Sequence, residues 1–177
     1  MWHLCAFDVY LPGVCSMRRK DRAVTDRAEQ SAILAKGKVL HMALINAGKP
    51  YIVPMNYGWD GECVYMHTAN AGLKLDILDA DNQVALNVLT HQEVSSVEEA
   101  HKACDLTAYY ESITVFGRAE QVVDPAERLL AFTAILRQYS AEHLPLRDMS
   151  NVVLLRVKAE QITAKRNSAS AEAGGDA

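Results

Sequence analysis

The sequence carries little net charge, few cysteines and no long apolar run. Its 177 residues have a formal net charge of -4, so no overall positive field would hold nucleic acid or an anionic membrane surface. No apolar segment approaches the roughly 18–20 residues needed to cross a bilayer. The four cysteines lack CxxC metal spacing, and we interpret them as free thiols of a reducing cytoplasm. We therefore expect a cytoplasmic protein that binds neither nucleic acid nor membrane.

Several common catalytic and nucleotide-binding motifs are also missing. No glycine-rich loop of the Rossmann or P-loop type joins a predicted strand to a helix, and no GxSxG sequence suggests a serine hydrolase. The six histidines are scattered, without the HExxH spacing of a zinc-binding helix. These absences argue against the commonest nucleotide-binding folds, triad hydrolysis and a metal centre, but they identify no ligand.

What the sequence contains is typical of one soluble globular domain. Half of the residues are apolar and 23% are charged, and the chain is long enough to bury a hydrophobic core. A basic run and a helix signal begin only at Met17, so we interpret residues 1–16 as a poorly ordered N-terminal extension. The low-complexity tail over residues 168–177 is predicted to be disordered. The folded domain is expected to span residues 17–167.

The predicted elements are short strands interspersed with helices. Asp26 and Glu29 have the spacing of a capping box, and Asp124 followed by Pro125 predicts another helix start. Gly117 is predicted to bend or bulge the strand that contains it. Antiparallel strands with helices outside them favour an α+β, mainly β fold built on a small barrel. Helices are predicted over residues 27–36, 70–78 and 125–139, strands over residues 40–45, 51–57, 63–68, 83–90, 109–123 and 152–162, a turn over residues 58–61 and a loop over residues 91–104.

The segment YMHTANAGLK, residues 65–74, places a strand end directly before a helix start. A helix N-terminus presents unpaired N–H groups and the positive end of its dipole. Thr68 adds a hydroxyl and Lys74 adds a full positive charge, so this segment could hold a phosphate group. The alternative from these residues alone is that Thr68 or Asn70 only caps the helix while Lys74 is solvated.

A second candidate segment is YIVPMNY, residues 51–57. Pro54 has no N–H to donate, so it predicts an edge position or a bulge and leaves main-chain groups outside the sheet pairing. The amide of Asn56 can both donate and accept hydrogen bonds, as the edge of a flat heteroaromatic ring requires. An ordinary edge strand is the competing interpretation.

Five blocks of the sequence occur in the order found in a known family: MRRKDRAVTD, PYIVPMNYGWDG, VYMHTANAGLKLD, CDLTAYYESITVFGRAEQVVD and ITAKRN. Through them, from Met17 to Asn167, the sequence resembles the pyridoxamine 5'-phosphate oxidase-related flavoproteins, and more closely their nitroimidazole-resistance branch. The resemblance implies an FMN-binding split β-barrel with flanking helices. It also implies a homodimer that holds FMN in clefts between the subunits.

The resemblance further implies roles for individual residues. Residues 52–57 would line the flavin ring with their main chain and with the side chain of Asn56, and the contacts would be Val53, Pro54, Met55, Asn56 and Tyr57. His67 and Thr68 would lie beside the flavin, and Lys74 would bind its phosphate. Tyr110 and Ser112 of the partner subunit would close the cleft, and Lys165 would be a further cofactor contact.

Two departures from the family pattern bear on the reaction. Leu73 stands where vitamin-type oxidases have an arginine beside the phosphate-binding lysine, and no arginine-rich site for pyridoxamine phosphate is apparent. Vitamin B6 oxidation is therefore disfavoured. Ala164 stands where relatives usually have a glycine, so a turn at that position is expected to differ.

The resemblance favours an FMN-dependent oxidoreductase that takes electrons from a nicotinamide cofactor or another donor and reduces a nitroaromatic or similar small acceptor. The histidine that matches His67 is associated with the active site in the nitroimidazole-resistance branch, and imidazole can donate a proton near neutral pH. The alternatives are a protein that stores or senses flavin without a substrate, a haem-binding split barrel, and a pyridoxamine phosphate oxidase.

Overall fold

The computed structural model describes residues 19–95, 102–146 and 151–168. The extension predicted over residues 1–16 lies outside the described residues, and so does the tail predicted over residues 168–177 except for Ser168. The middle of the loop predicted over residues 91–104 lies outside them as well.

Three α-helices and eight strands build the described part of the chain, and the predicted α+β, mainly β class is confirmed. The helices are α1 (Arg27–Lys36), α2 (Leu73–Ala80) and α3 (Pro125–Gln138). The strands are β1 (Leu40–Asn46), β2 (Lys49–Met55), β3 (Tyr57–Trp59), β4 (Cys63–Ala69), β5 (Gln83–Val94), β6 (Ala108–Gln121), β7 (Val152–Lys158) and β8 (Gln161–Asn167).

Both capped helix starts are confirmed by their hydrogen bonds. Asp26 accepts a bond from the N–H of Glu29 at 2.9 Å, and Asp124 accepts one from the N–H of Glu127 at 2.8 Å. Each aspartate satisfies an N–H that has no partner within the helix and places negative charge at the positive end of the dipole. These caps fix where α1 and α3 begin.

The strands form a barrel that is split at one corner. Their hydrogen-bonded order is β2-β1-β5-β6-β7-β4-β3, and β8 pairs with β6. The two ends of this order, β2 and β3, are consecutive in the chain and are separated by Asn56 alone. The chain therefore closes the barrel at the point where strand pairing stops. Because β2 ends the strand order, the edge position predicted from Pro54 is confirmed.

Two predicted boundaries between strand and turn are wrong. Gly58 and Trp59 belong to β3, and the turn begins at Asp60, whose carboxylate accepts bonds from the two N–H groups that follow the turn, at 2.8 and 2.7 Å. β5 continues to Val94, so the first residues of the predicted 91–104 loop are strand. This end of β5 is exposed and polar, so it lacks the alternation of apolar and polar residues by which a strand is predicted.

The strand predicted over residues 152–162 is two strands, which reverse at Ala159 and Glu160. The N–H groups of these residues bond to the carbonyls of Glu62 and Phe116, at 3.3 and 3.0 Å. The reversal contains no glycine, proline or asparagine that would have indicated a turn. It is held by hydrogen bonds to residues that are remote in the sequence, so no local pattern predicts it.

Two positions singled out in the sequence have other roles. Gly117 carries no bulge; it lies between the part of β6 that pairs with β8 and the part that pairs with β7. The register shifts instead in β5, between Leu89 and His91. Ala164 is buried within β8, opposite Ile113, and not in a turn.

Strand β4 packs on both of its faces, and this positions the candidate site. Val64 and Met66 belong to the core inside the barrel, whereas Tyr65 belongs to a second apolar cluster beneath α3. Successive side chains of a strand point to opposite faces. His67 therefore continues the α3 face of β4, and Thr68 continues the barrel face.

Gly58→Ala is expected to destabilise the fold, because α3 lies directly on β3 at this point. A Cβ added at Gly58 would lie 2.3 Å from the backbone carbon of Ala134 and the backbone nitrogen of Ile135. Overpacking of this kind lowers the free energy of unfolding by about 1–3 kcal/mol. Urea denaturation measures the loss, and an unchanged midpoint would contradict this close contact between helix and strand.

Candidate functional site

A cleft opens at the corner where the chain passes from β2 to β3. It has a volume of about 280 Å³ and is lined by Pro54, Met55, Asn56, His67, Thr68 and Lys74. All six were predicted as site residues from two separate segments of the sequence. The fold brings these two segments together at the split in the barrel.

Strand pairing stops on both walls of this cleft. β3 pairs with β4 only over residues 64–66, so His67 and Thr68 have no β3 partner. On the opposite wall, β2 ends the strand order and Pro54 has no N–H to donate. Main-chain groups that pair with no strand are available to a ligand, because a buried N–H or C=O requires a partner.

Lys74 and Thr68 form the polar floor of the cleft. The Nζ of Lys74 donates to Oγ1 of Thr68 at 2.6 Å, and only 6% of Thr68 is exposed. Because Thr68 accepts this bond, its own hydroxyl hydrogen can point toward a ligand. None of the ion pairs within the described residues involves Lys74, so its positive charge has no carboxylate partner there.

The start of α2 adds to the positive character of the floor. Gly72 precedes the helix with a φ of 132° and makes no side-chain cap. The first N–H groups of the helix are therefore not covered by a capping side chain, and the positive end of the dipole lies here. Asp76 in the first turn offsets part of this charge. Lys74, Thr68 and the helix start together fit a phosphate or carboxylate group.

His67 lies at the rim of the cleft with an exposed side chain. It pairs with Leu154 of β7 and lies on the face of β4 opposite to Thr68. The imidazole and the hydroxyl of Thr68 therefore lie on opposite sides of β4. The exposed imidazole is suited to proton exchange with solvent.

Tyr57 was predicted to contact the flavin through its main chain, and its side chain is fully buried. Its hydroxyl donates to the carbonyl of Leu34 at 2.5 Å, and its N–H donates to the hydroxyl of Tyr139 at 3.1 Å. Val53 is half-buried and packs against the barrel core. Tyr57 is thus a core residue that anchors the corner of the cleft, and neither residue lines it.

Tyr110, Ser112 and Lys165 line a different hollow, with a volume of about 660 Å³. Ser112 on β6 is opposite Lys165 on β8. The Nδ2 of Asn87, which the sequence analysis missed, lies 3.2 Å from the Ser112 Oγ that accepts its hydrogen bond. None of the three predicted residues lines the cleft at Asn56 within one chain.

The sequence analysis also missed the role of Glu111. Its carboxylate accepts hydrogen bonds from Arg166 at 2.9 Å, Lys36 at 3.3 Å and Thr90 at 3.2 Å. Burial acts to raise the pKa of Glu111, but these hydrogen bonds outweigh it and the pKa lies below its ordinary value. No local pattern could have indicated this cluster, because its members come from α1, β5, β6 and β8.

Within residues 19–95, 102–146 and 151–168, no group of three or more His, Cys, Asp or Glu side chains is placed to hold a metal ion. In the same part of the chain, no helix has the length and apolar character needed to cross a bilayer.

Solved structures of other proteins share this fold. A candidate 5-nitroimidazole antibiotic resistance protein from Bacteroides thetaiotaomicron VPI-5482 matches with a TM-score of 0.70 and 24% identity, over 81% of this chain and 85% of that chain. The FAD and heme binding protein from Mycobacterium smegmatis matches with a TM-score of 0.73 and 18% identity, over 84% and 74%. The flavocytochrome Anf3 from Azotobacter vinelandii matches with a TM-score of 0.71 and 22% identity, over 87% and 73%. The predicted split barrel is confirmed.

No curated protein sequence matches the chain. The sequence profile of the family described as pyridoxamine 5'-phosphate oxidase matches residues 26–166. This region runs from the cap of α1 into β8 and includes every residue that lines the cleft at Asn56. The chain therefore belongs to the pyridoxamine 5'-phosphate oxidase family.

Proposed function

We propose that this chain is a cytoplasmic, homodimeric oxidoreductase that binds FMN and reduces a nitroaromatic compound, such as a 5-nitroimidazole, or a similar small acceptor. One observation carries the proposal: the ammonium of Lys74, which has no carboxylate partner among the described residues, bonds to Thr68 in the same cleft that Pro54 and Asn56 line. An anion site next to unpaired main-chain groups suits a ligand with a phosphate at one end and a flat polar ring at the other.

The residues of the cleft fit FMN in chemical type. The ammonium of Lys74 and the hydroxyl of Thr68 would hold the phosphate by charge-assisted hydrogen bonds. The amide of Asn56 would face the polar edge of the ring, which both donates and accepts. A bound flavin supplies the redox chemistry, while the chain supplies orientation and a proton source.

His67 is the proposed proton donor. Two electrons and two protons convert a nitro group to a nitroso group and water, and in this proposal a nicotinamide cofactor supplies the electrons. An exposed imidazole at the rim can donate a proton to the acceptor and regain one from solvent between turnovers. Thr68 lies on the other face of β4 and serves the anion site.

A second copy of the chain is the proposed partner. On the outer face of the sheet, Ile45 and Ile52 are 54% and 63% exposed, and a shallow, mostly apolar hollow of about 530 Å³ lies beside them. Contiguous apolar surface often marks an interface. Ser112 lies on the outer face, because its neighbour Ile113 points into the core. In this proposal a twofold-related copy buries this hollow, and Ser112 of the partner subunit closes the cleft, as the resemblance to the flavoprotein family implies.

The purified protein is expected to have twice the mass of one chain, as measured by light scattering. Ile52→Glu is expected to shift it toward monomer, because a charge at the centre of an apolar interface is unfavourable. The matched control is Leu129→Glu, on the exposed face of α3, which is expected to leave the dimer intact. A monomeric natural protein would contradict a cleft shared between subunits.

A flavin-binding protein without a dedicated substrate is the second candidate. It is favoured because the polar side chains that line the cleft, Asn56, His67, Thr68 and Lys74, are all assigned to the flavin site in this proposal, which leaves no further polar lining residue of the cleft for a substrate. FAD and haem are the alternative ligands, since two similar structures are those of an FAD and heme binding protein and a flavocytochrome. Absorption bands at about 370 and 450 nm indicate flavin, and a Soret band at about 400 nm indicates haem. The mass of the released cofactor distinguishes FMN from FAD.

The deciding experiment is an anaerobic assay of the FMN-loaded protein with a nicotinamide donor and a 5-nitroimidazole. If the absorbance of the nitro group is lost only when the protein is present, the result supports the proposed reductase activity. Flavin that is bound and reducible, without any turnover of the acceptor, would refute the reductase and favour the binding protein. A protein that takes up no flavin would refute both.

A further inference from the structure

The C-terminal ends of α1 and α3 meet next to β3. Gln138, the last residue of α3, is buried, and its amide nitrogen donates to the carbonyls of Leu34, Ala35 and Gly37 at 2.9, 3.0 and 2.6 Å. These carbonyls lie at the end of α1, where a helix leaves them without an internal partner. The end of α3 therefore fixes the end of α1.

Tyr139 connects this junction to β3. Its hydroxyl donates to the carbonyl of Lys38 at 2.5 Å and accepts a bond from the N–H of Tyr57 at 3.1 Å. The Nζ of Lys38 lies 5.6 Å from the centre of the Tyr139 ring and donates to the carbonyl of Gln138 at 2.5 Å. Burial raises the pKa of the Tyr139 hydroxyl above its ordinary value, so the hydroxyl keeps its proton. The Tyr139 hydroxyl thus links the end of α3 to the segment that follows α1 and to β3.

The N–H that Tyr139 holds belongs to the peptide unit between Asn56 and Tyr57. A trans peptide is planar, so fixing its N–H also fixes the direction of the Asn56 carbonyl. We propose that Tyr139 is a positioning residue, whose hydroxyl holds this peptide in the orientation that binds the ring end of the flavin. This inference rests on the proposed function, which assigns a flavin to the cleft.

Removal of the hydroxyl would leave the N–H of Tyr57, a residue with no exposed surface, without its acceptor. An unpaired buried donor is unfavourable, so the peptide is expected to rotate toward another acceptor in the ligand-free protein. A ligand then has to restore the original orientation, and its apparent affinity falls with the fraction of molecules that retain it. Lys74 and Thr68 belong to α2 and β4, so the phosphate end is unaffected.

The test compares Tyr139→Phe with Tyr65→Phe. Tyr65 is also buried, and its hydroxyl interacts with Asp60 beyond the other end of β4. The control variant therefore loses the same atom from a hydroxyl whose partner, Asp60, does not line the cleft. Dissociation constants for FMN and riboflavin are measured by quenching of flavin fluorescence, and amide hydrogen exchange is followed over residues 55–59.

Tyr139→Phe is expected to weaken the binding of FMN and of riboflavin by the same factor, about 5- to 30-fold. It is also expected to speed hydrogen exchange at the amide of Tyr57. The ratio of the two dissociation constants stays as in the natural protein, and Tyr65→Phe changes neither constant. Unchanged affinities in Tyr139→Phe, or equal weakening in both variants, would overturn the positioning role. A natural protein that binds neither flavin would instead refute the proposed function, so the two failures are distinguishable.

Discussion

Lys74→Ala is expected to weaken FMN binding by about 10- to 150-fold, which corresponds to about 1.5–3 kcal/mol for a charge-assisted hydrogen bond. The ammonium of Lys74 is the cation that lines the cleft, and within the described residues it forms no ion pair. Thr68 and the start of α2 remain in the variant, so binding is weakened and not abolished. Titration of the apo protein with FMN, followed by fluorescence, measures the change.

Riboflavin lacks the phosphate, so Lys74→Ala is expected to leave its dissociation constant unchanged. Lys158→Ala is the matched control, because Lys158 is an exposed lysine paired with Glu62 at 2.9 Å on the surface. Unchanged FMN affinity in Lys74→Ala would place the phosphate elsewhere. Equal weakening of FMN and riboflavin would show that Lys74 supports the shape of the cleft and does not bind the phosphate.

α1, α3 and the edge strand could be predicted because their signals are local, whereas α2, predicted over residues 70–78, has no capping side chain and begins at Leu73. Asp26 and Asp124 each act on an N–H three residues away, so the pattern is visible in the sequence. The reversal at Ala159 could not be predicted, since its hydrogen bonds reach carbonyls of distant strands. The exposed end of β5 could not be predicted for a related reason. It is a strand because it pairs with β6, and its sequence lacks the alternation of apolar and polar residues.

The residues of the candidate site also differ in whether local or remote contacts determine their positions. Lys74 and Thr68 are six residues apart around one helix start, so a local pattern sufficed to bring them together. The burial of the Tyr57 side chain could not be predicted, because it depends on contacts with Leu34 and Tyr139, which are remote in the sequence. The sequence of a strand shows which side chains share a face. Which of the two faces is buried depends on the helices that pack against the sheet.

The two faces of β4 separate binding from proton transfer in the proposed mechanism. Thr68 is buried on the barrel face with Lys74, whereas His67 is exposed on the opposite face. A substitution at His67 therefore removes no atom of the Lys74–Thr68 pair. This separation makes the proton-donor role testable without loss of the cofactor site.

His67→Ala is expected to leave FMN affinity nearly unchanged and to slow turnover of the nitro acceptor by about 10²–10⁴-fold, the usual contribution of a positioned general acid. The side chain is exposed and makes no hydrogen bond within the described residues, so stability is also expected to be retained. Single-turnover measurements with pre-reduced protein isolate the step in which the acceptor is protonated.

Added imidazole is expected to restore part of the activity of His67→Ala, because the rim of the cleft is open to solvent and the missing group is small. His91→Ala is the matched control, since His91 is an exposed strand histidine, 57% exposed and away from the cleft. Full turnover in His67→Ala would rule out the proton donor. A loss of FMN in parallel with activity would make His67 a binding residue, since a general acid acts on the reaction and not on retention of the flavin.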